Sequence, residues 1–137
     1  MSAIQDMLAL KTWAVVGATD NQEKFGYKIF KCMKESGYEV YPVNPGVSTV
    51  MGQTCYPTLA ELPIRPEAVD VVVAPKVGEK VIAMCDELGI HNVWLQPGAN
   101  GATVIALAKE KGLNVIHDAC VMVEIRKMGR SKYGRDR

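Results

Sequence analysis

The stretch Gly17-Ala18-Thr19-Asp20-Asn21-Gln22-Glu23-Lys24-Phe25-Gly26 holds residue types suited to gripping a phosphate. Gly17 lets the backbone turn tightly and approach a ligand. Thr19 and the free amides at a helix start can donate to an anion, helped by the helix dipole. Lys24 adds a positive charge beside them. The stretch is not the dinucleotide fingerprint G-x-G-x-x-G. With the first glycine on Gly17, the second falls on Thr19 and the third on Gln22, and Gly26 is displaced into the helix start. Nor is it a Walker loop, because Phe25 follows Lys24 where Ser or Thr is needed. The competing reading is a long strand-to-helix turn that binds nothing.

Other short segments carry related chemistry. Val43-Asn44-Pro45-Gly46 ends a strand where NAD-binding units place an acid for the ribose hydroxyls. The nearest acid, Glu39, lies at the wrong end of that strand, so an unmodified adenine ribose is disfavoured. A neutral amide near lysines tolerates a phosphorylated ribose better, although the same residues also suit a plain turn. Ala74-Pro75-Lys76 offers a rigid wall and a cation, or simply a helix start. Gln96-Pro97-Gly98-Ala99-Asn100-Gly101 offers amides and close backbone approach, or a turn with Asn100 as helix cap. His117, Asp118 and Cys120 invite a catalytic reading, since a cysteine in the first turn of a helix can be reactive. No oxyanion machinery accompanies them, which favours a structural histidine beside a capping Asp118. His91 reads as a solvent-facing strand start, and Trp13 and Trp94 read as core.

These segments fall between alternating apolar and amphipathic runs. Ser2 is placed to cap a short helix with Ile4, Met7 and Leu8 on one face. Strands are predicted over Thr12–Ala18, Tyr38–Val43, Val69–Ala74, His91–Gln96 and Leu113–His117. Pro42 suits a strand end or an edge. Helices are predicted over Phe25–Ser36, Lys76–Leu88, Ala102–Lys111 and about Ala119–Met128. In the second of these Val77, Val81, Met84 and Leu88 make the apolar face. Thr58 starts a short helix over Leu59–Leu62, and residues 47–57 form an irregular excursion. Strands alternating with helices imply an α/β fold, a single Rossmann-like, doubly wound domain with a five-stranded parallel sheet. Ligands of such sheets sit beyond the carboxyl ends of the strands. That selects residues 17–26, 44–46, 74–76, 96–100 and 117–120.

A length of 137 residues predicts one domain and is short for a two-domain dehydrogenase with its separate substrate lobe. Sixteen basic and fifteen acidic residues nearly balance, but unevenly. Six basic residues against Asp136 alone give residues 126–137 a charge of +5, which leaves −4 on residues 1–125. The body, residues 1–125, is therefore no general nucleic-acid binder, and residues 126–137 read as a basic, mobile tail. Cys32, Cys55, Cys85 and Cys120 lack the close pairs of a zinc site and read as reduced thiols. With no signal-like start and no long apolar run, a cytoplasmic protein that avoids membranes is expected.

Taken together the segments carry a family resemblance. They are Val15-Val16-Gly17-Ala18-Thr19 with Lys24 and Gly26, then Gly37-Tyr38-Glu39-Val40-Tyr41-Pro42-Val43-Asn44-Pro45. Gly52 with Tyr56-Pro57-Thr58-Leu59, Val93-Trp94-Leu95-Gln96-Pro97-Gly98, and Asp118-Ala119-Cys120 complete them. In this order residues 8–125 resemble the small CoA-binding proteins whose fold matches the CoA-binding domain of the succinyl-CoA synthetase alpha subunit. The resemblance implies coenzyme A or an acyl-CoA as ligand. Gly17, Ala18, Thr19 and Lys24, with Gly26 behind them, would meet the phosphates. Asn44 and Pro45 would border the adenosine. Pro75 with Gln96, Pro97 and Gly98 would line the remainder, Lys76 would help answer the phosphate charge, and Cys120 matches a family position near the strand-end face. Ala119 stands where arginine is frequent in the motif, which removes one phosphate contact. No counterpart of the synthetase's phosphorylated histidine lobe is present, so ligase activity is not implied. A binding domain without catalysis is the resulting expectation. Thiol exchange or acyl transfer at Cys120, and a CoA-sensing module with an unidentified protein partner, are the alternatives.

Overall fold

Thr12–Val16 (β1) is buried from Trp13 to Val16, because it lies inside a sheet covered on both faces. The computed structural model describes residues 2–129. The basic tail beyond Gly129 lies outside the described residues. Ser2 caps Ala3–Leu8 (α1) through a capping box with Gln5. After β1 come Phe25–Glu35 (α2), Glu39–Val43 (β2), the two-residue strands Thr49–Val50 (β3) and Gln53–Thr54 (β4), and a 3-10 turn over Leu59–Glu61. Ala68–Val71 (β5), Pro75–Leu88 (α3), Asn92–Leu95 (β6), Ala102–Glu110 (α4), Asn114–Ile116 (β7) and Val121–Lys127 (α5) follow.

The parallel sheet has the order β2-β1-β5-β6-β7, an α/β doubly wound arrangement. From β1 the chain moves outward to β2, then returns to β5 on the other side and continues outward. The switch point therefore lies between the tips of β1 and β5, where Val16 pairs with Val71. Pro42 falls in β2, an edge strand. α1, α2 and α5 cover one face over Trp13, Val15, Val40 and Trp94. The 3-10 turn, α3 and α4 cover the other over Ala14, Val69, Val93 and Leu95. Trp13 and Trp94 are both fully buried, with ring centroids 6.5 Å apart. Each indole N–H reaches a carbonyl, that of Leu10 or of Ala119.

Four expectations are corrected. The buried face of α3 is Gly78, Ile82 and Cys85. Val81, Met84 and Leu88 only flank this core, and Val77 is exposed. Gly78 lies in the seam beside Val71 and Val104, where a Cβ would stand at ordinary contact distance, 3.6 Å from each. Asp118 does not cap α5. It adopts φ 63°, while Cys120 holds the N-cap position. Asn100 likewise leaves the cap of α4 to Gly101. Residues 47–57 are more ordered than an irregular excursion. β3 and β4 pair antiparallel around Met51 (φ 51°) and Gly52 (φ 78°).

Candidate functional site

The carboxyl ends of the strands open onto a cavity of about 770 Å³. It runs from Asn44 at the tip of β2, past Gly17 and Val72–Ala74 at the switch point, to Gln96–Ala99 and Cys120. Ligand cavities commonly measure roughly 300–1,000 Å³.

The β1–α2 loop is built by its own short polar side chains. Asn21 N–H donates to Thr19 Oγ1 (3.2 Å), and Glu23 N–H donates to Asn21 Oδ1 (3.1 Å). As acceptor in that bond Thr19 keeps its own O–H to donate. Asp20 accepts from Met51 N–H at 2.7 Å, so the β3–β4 hairpin braces the loop from outside. Asn44 Nδ2 donates to the Ala18 carbonyl (2.9 Å) while its Oδ1 accepts from Gly46 N–H (3.1 Å). Asn44 thus ties the tip of β2 to the loop as well as lining the cavity.

Both glycines of the loop serve close backbone packing. A Cβ on Gly26 would sit 2.0 Å from the Gly17 carbonyl oxygen. One on Gly17, at φ 104°, would sit 2.5 Å from the Val72 carbonyl oxygen. Gly26 thereby lets α2 begin directly against the end of β1. The N-terminus of α2 is aimed into the cavity, and Lys24 makes no side-chain cap there. First-turn amides of a helix have no partner within it, and they attract anions.

At the other end the buried amide of Gln96 ties the tip of β6 to the start of α5. Its Oε1 accepts from Val121 N–H (2.9 Å), and its Nε2 donates to Cys120 Sγ (3.5 Å). Asn100 links the neighbouring loops, accepting from Gly98 N–H and donating to Asp118, both at 3.0 Å. Asp118 also contacts His117 Nδ1 at 2.6 Å. Neither His117 nor Asp118 lines the cavity. The thiol of Cys32 on α2 is pushed up by burial, with Ser36, Arg126 and Cys120 as neighbours.

Of the sequence-derived residues, Gly17, Thr19, Lys24, Gly26, Asn44, Gln96, Pro97, Gly98 and Cys120 line this cavity together. Ala18, Pro45, Pro75 and Lys76 do not. Ala18 is buried beneath the loop, Pro45 and Lys76 face solvent, and Pro75 begins α3 against Gly101. The lining also includes Asn21, Glu23, Phe25, Ala74 and Ala99, which lie in the selected loops without being singled out there, and Val72 and Val73, which lie outside them. Proximity to Lys24 was the available signal for Glu23 and Phe25. Glu23 sets a carboxylate beside Lys24 at the mouth.

The family described as CoA binding domain matches residues 11–126. A hypothetical protein from Pyrococcus horikoshii OT3 has a similar structure, with TM-score 0.87 and 32% identity over 93% of this chain and 92% of that one. A conserved hypothetical protein from Pyrococcus furiosus gives TM-score 0.80 and 36% identity over 83% and 98%. The alpha subunit of an ADP-forming acetate–CoA ligase II from Pyrococcus furiosus is 30% identical over 119 residues. That match takes in 79% of this chain but only 26% of the relative's length.

Proposed function

The chain belongs to the CoA binding domain family, and from that premise we propose that it binds coenzyme A or an acyl-CoA above the sheet, as a stand-alone domain without catalysis of its own. The observation that carries this reading is the cavity at the switch point, with Thr19, Lys24 and the N-terminus of α2 at one end. These donors suit the pyrophosphate and 3′-phosphate. Asn44 leaves the end of β2 without an acid for free ribose hydroxyls. Relatives of matching length support a domain that works alone, and the ligase alpha subunit is several times longer. Native mass spectrometry tests the reading. Addition of CoA is expected to give a species heavier by one CoA, while NAD at equal concentration gives none. Equal retention of both removes it.

One contact favours a second reading, in which Cys120 exchanges with a CoA disulfide. Gln96 Nε2 donates to Sγ, and Cys120 lines the cavity. The Cys120 thiolate would attack one sulfur of the disulfide, forming a Cys120–S–S–CoA bond and expelling the other CoA as thiolate. Incubation with CoA disulfide should then add one CoA mass to a tryptic peptide holding Cys120. No adduct on that peptide contradicts it.

A further inference from the structure

Phe25 is 60% exposed although it lines the cavity, and it is the largest apolar surface left open there. Lys28 Nζ lies 5.4 Å from its ring centroid, which holds one face of the ring and leaves the rest free. Phe25 and Cys32 are seven residues apart, two helical turns, and so share one side of α2. That side is turned to α5, because α2 packs on α5 and Cys32 has Cys120 and Arg126 as neighbours. The opposite flank of α2 faces the hairpin beyond β2, where Lys34 donates to Gln53. Phe25 therefore belongs to the Cys120 end of the cavity and not to the Asn44 end. Val73, Ala74, Pro97 and Ala99 add apolar lining to the same cavity.

The geometry points to an apolar acyl chain as the group that covers Phe25, so that the cavity takes acyl-CoA thioesters of about six carbons in preference to free CoA. This rests on the proposed CoA reading. With phosphates at Gly17–Lys24 and adenosine by Asn44, the sulfur emerges at the Gln96–Cys120 end, and a chain on that sulfur meets the ring. Each buried methylene contributes about 0.8 kcal/mol, roughly a fourfold gain in affinity.

Calorimetric titration of the full chain with CoA, acetyl-CoA and hexanoyl-CoA tests this. Hexanoyl-CoA is expected to bind about tenfold or more tighter than CoA, with acetyl-CoA between them. In F25A that ratio should fall below about threefold, and F25L should retain most of it. Binding of all three with equal affinity overturns the inference while leaving the CoA reading standing. So does a ratio unchanged in F25A. Binding of none of them overturns both.

Discussion

Asp70 offers a sharp test of the core. It lies in β5, paired in register with Val15 and Trp94, and is fully buried with neither carboxylate oxygen hydrogen-bonded. Burial alone holds its carboxyl well above the usual carboxylate range. The unfolded chain gives up this proton near pH 4. The folded chain keeps it to higher pH, so stability falls as pH rises between those two points. Below about pH 4 both states are protonated and the group contributes no slope. Within the window the slope is about 1.4 kcal/mol per pH unit. For a chain of this size one pH unit corresponds to about 5 °C in Tm. Asp70→Asn keeps the shape and removes the titration. Its unpartnered amide adds a cost that is independent of pH. Glu67, whose carboxyl is held low by the backbone N–H groups of Lys11 and Thr12, acts in the opposite sense. Its stabilisation is lost as pH falls, and it cancels because both proteins contain it. Urea denaturation of wild type and D70N at half-unit steps from pH 4 upward is the assay. The advantage of D70N should grow with pH. Parallel stability curves, or a wild type that gains on D70N as pH rises, would refute the reasoning.

Gly26→Ala places a methyl group 2.0 Å from the Gly17 carbonyl oxygen and should cost about 3 kcal/mol or more, read by urea denaturation. Asn44→Asp removes the donor to the Ala18 carbonyl and should cost about 1–2 kcal/mol, with weaker CoA binding in the same preparation. Glu23→Gln should tighten CoA binding and Lys24→Gln weaken it, each by about two- to fivefold, with differences that shrink in high salt. Cys85 is buried, and its thiol is pushed up to about 12, so a thiol reagent at pH 8 should modify it only after unfolding. Mass mapping of the labelled peptides checks this.

The parallel sheet was legible because its strands are near-continuous apolar runs between glycine-ended helices. Even Val69-Asp70-Val71 read as a strand despite the carboxyl that it buries. The face of α3 was not legible, because hydropathy counts Val77 and ignores Gly78. Gly78 is nonetheless buried on that face, beside Val71 and Val104, while Val77 points to solvent. The β3–β4 hairpin was hidden because two-residue strands carry no alternation, and Met51 at positive φ is an unusual turn residue. Asp118 misled because an aspartate before a helix reads as a cap, whereas here it occupies the left-handed region that Asp tolerates. At the site, the loops were marked by glycines, Asn44 and Lys24. Their division of labour depended on three dimensions. Gly17 and Gly26 face the protein's own carbonyls, and Phe25, which in the sequence only breaks the Walker pattern, is exposed along the cavity.

The claim that this cavity is shaped for CoA is tested most directly by calorimetric titration with CoA, dephospho-CoA and NAD under one set of conditions. CoA is expected to bind more tightly than dephospho-CoA, through the cation and amides around Lys24, and far more tightly than NAD. Equal affinity for all three would contradict it.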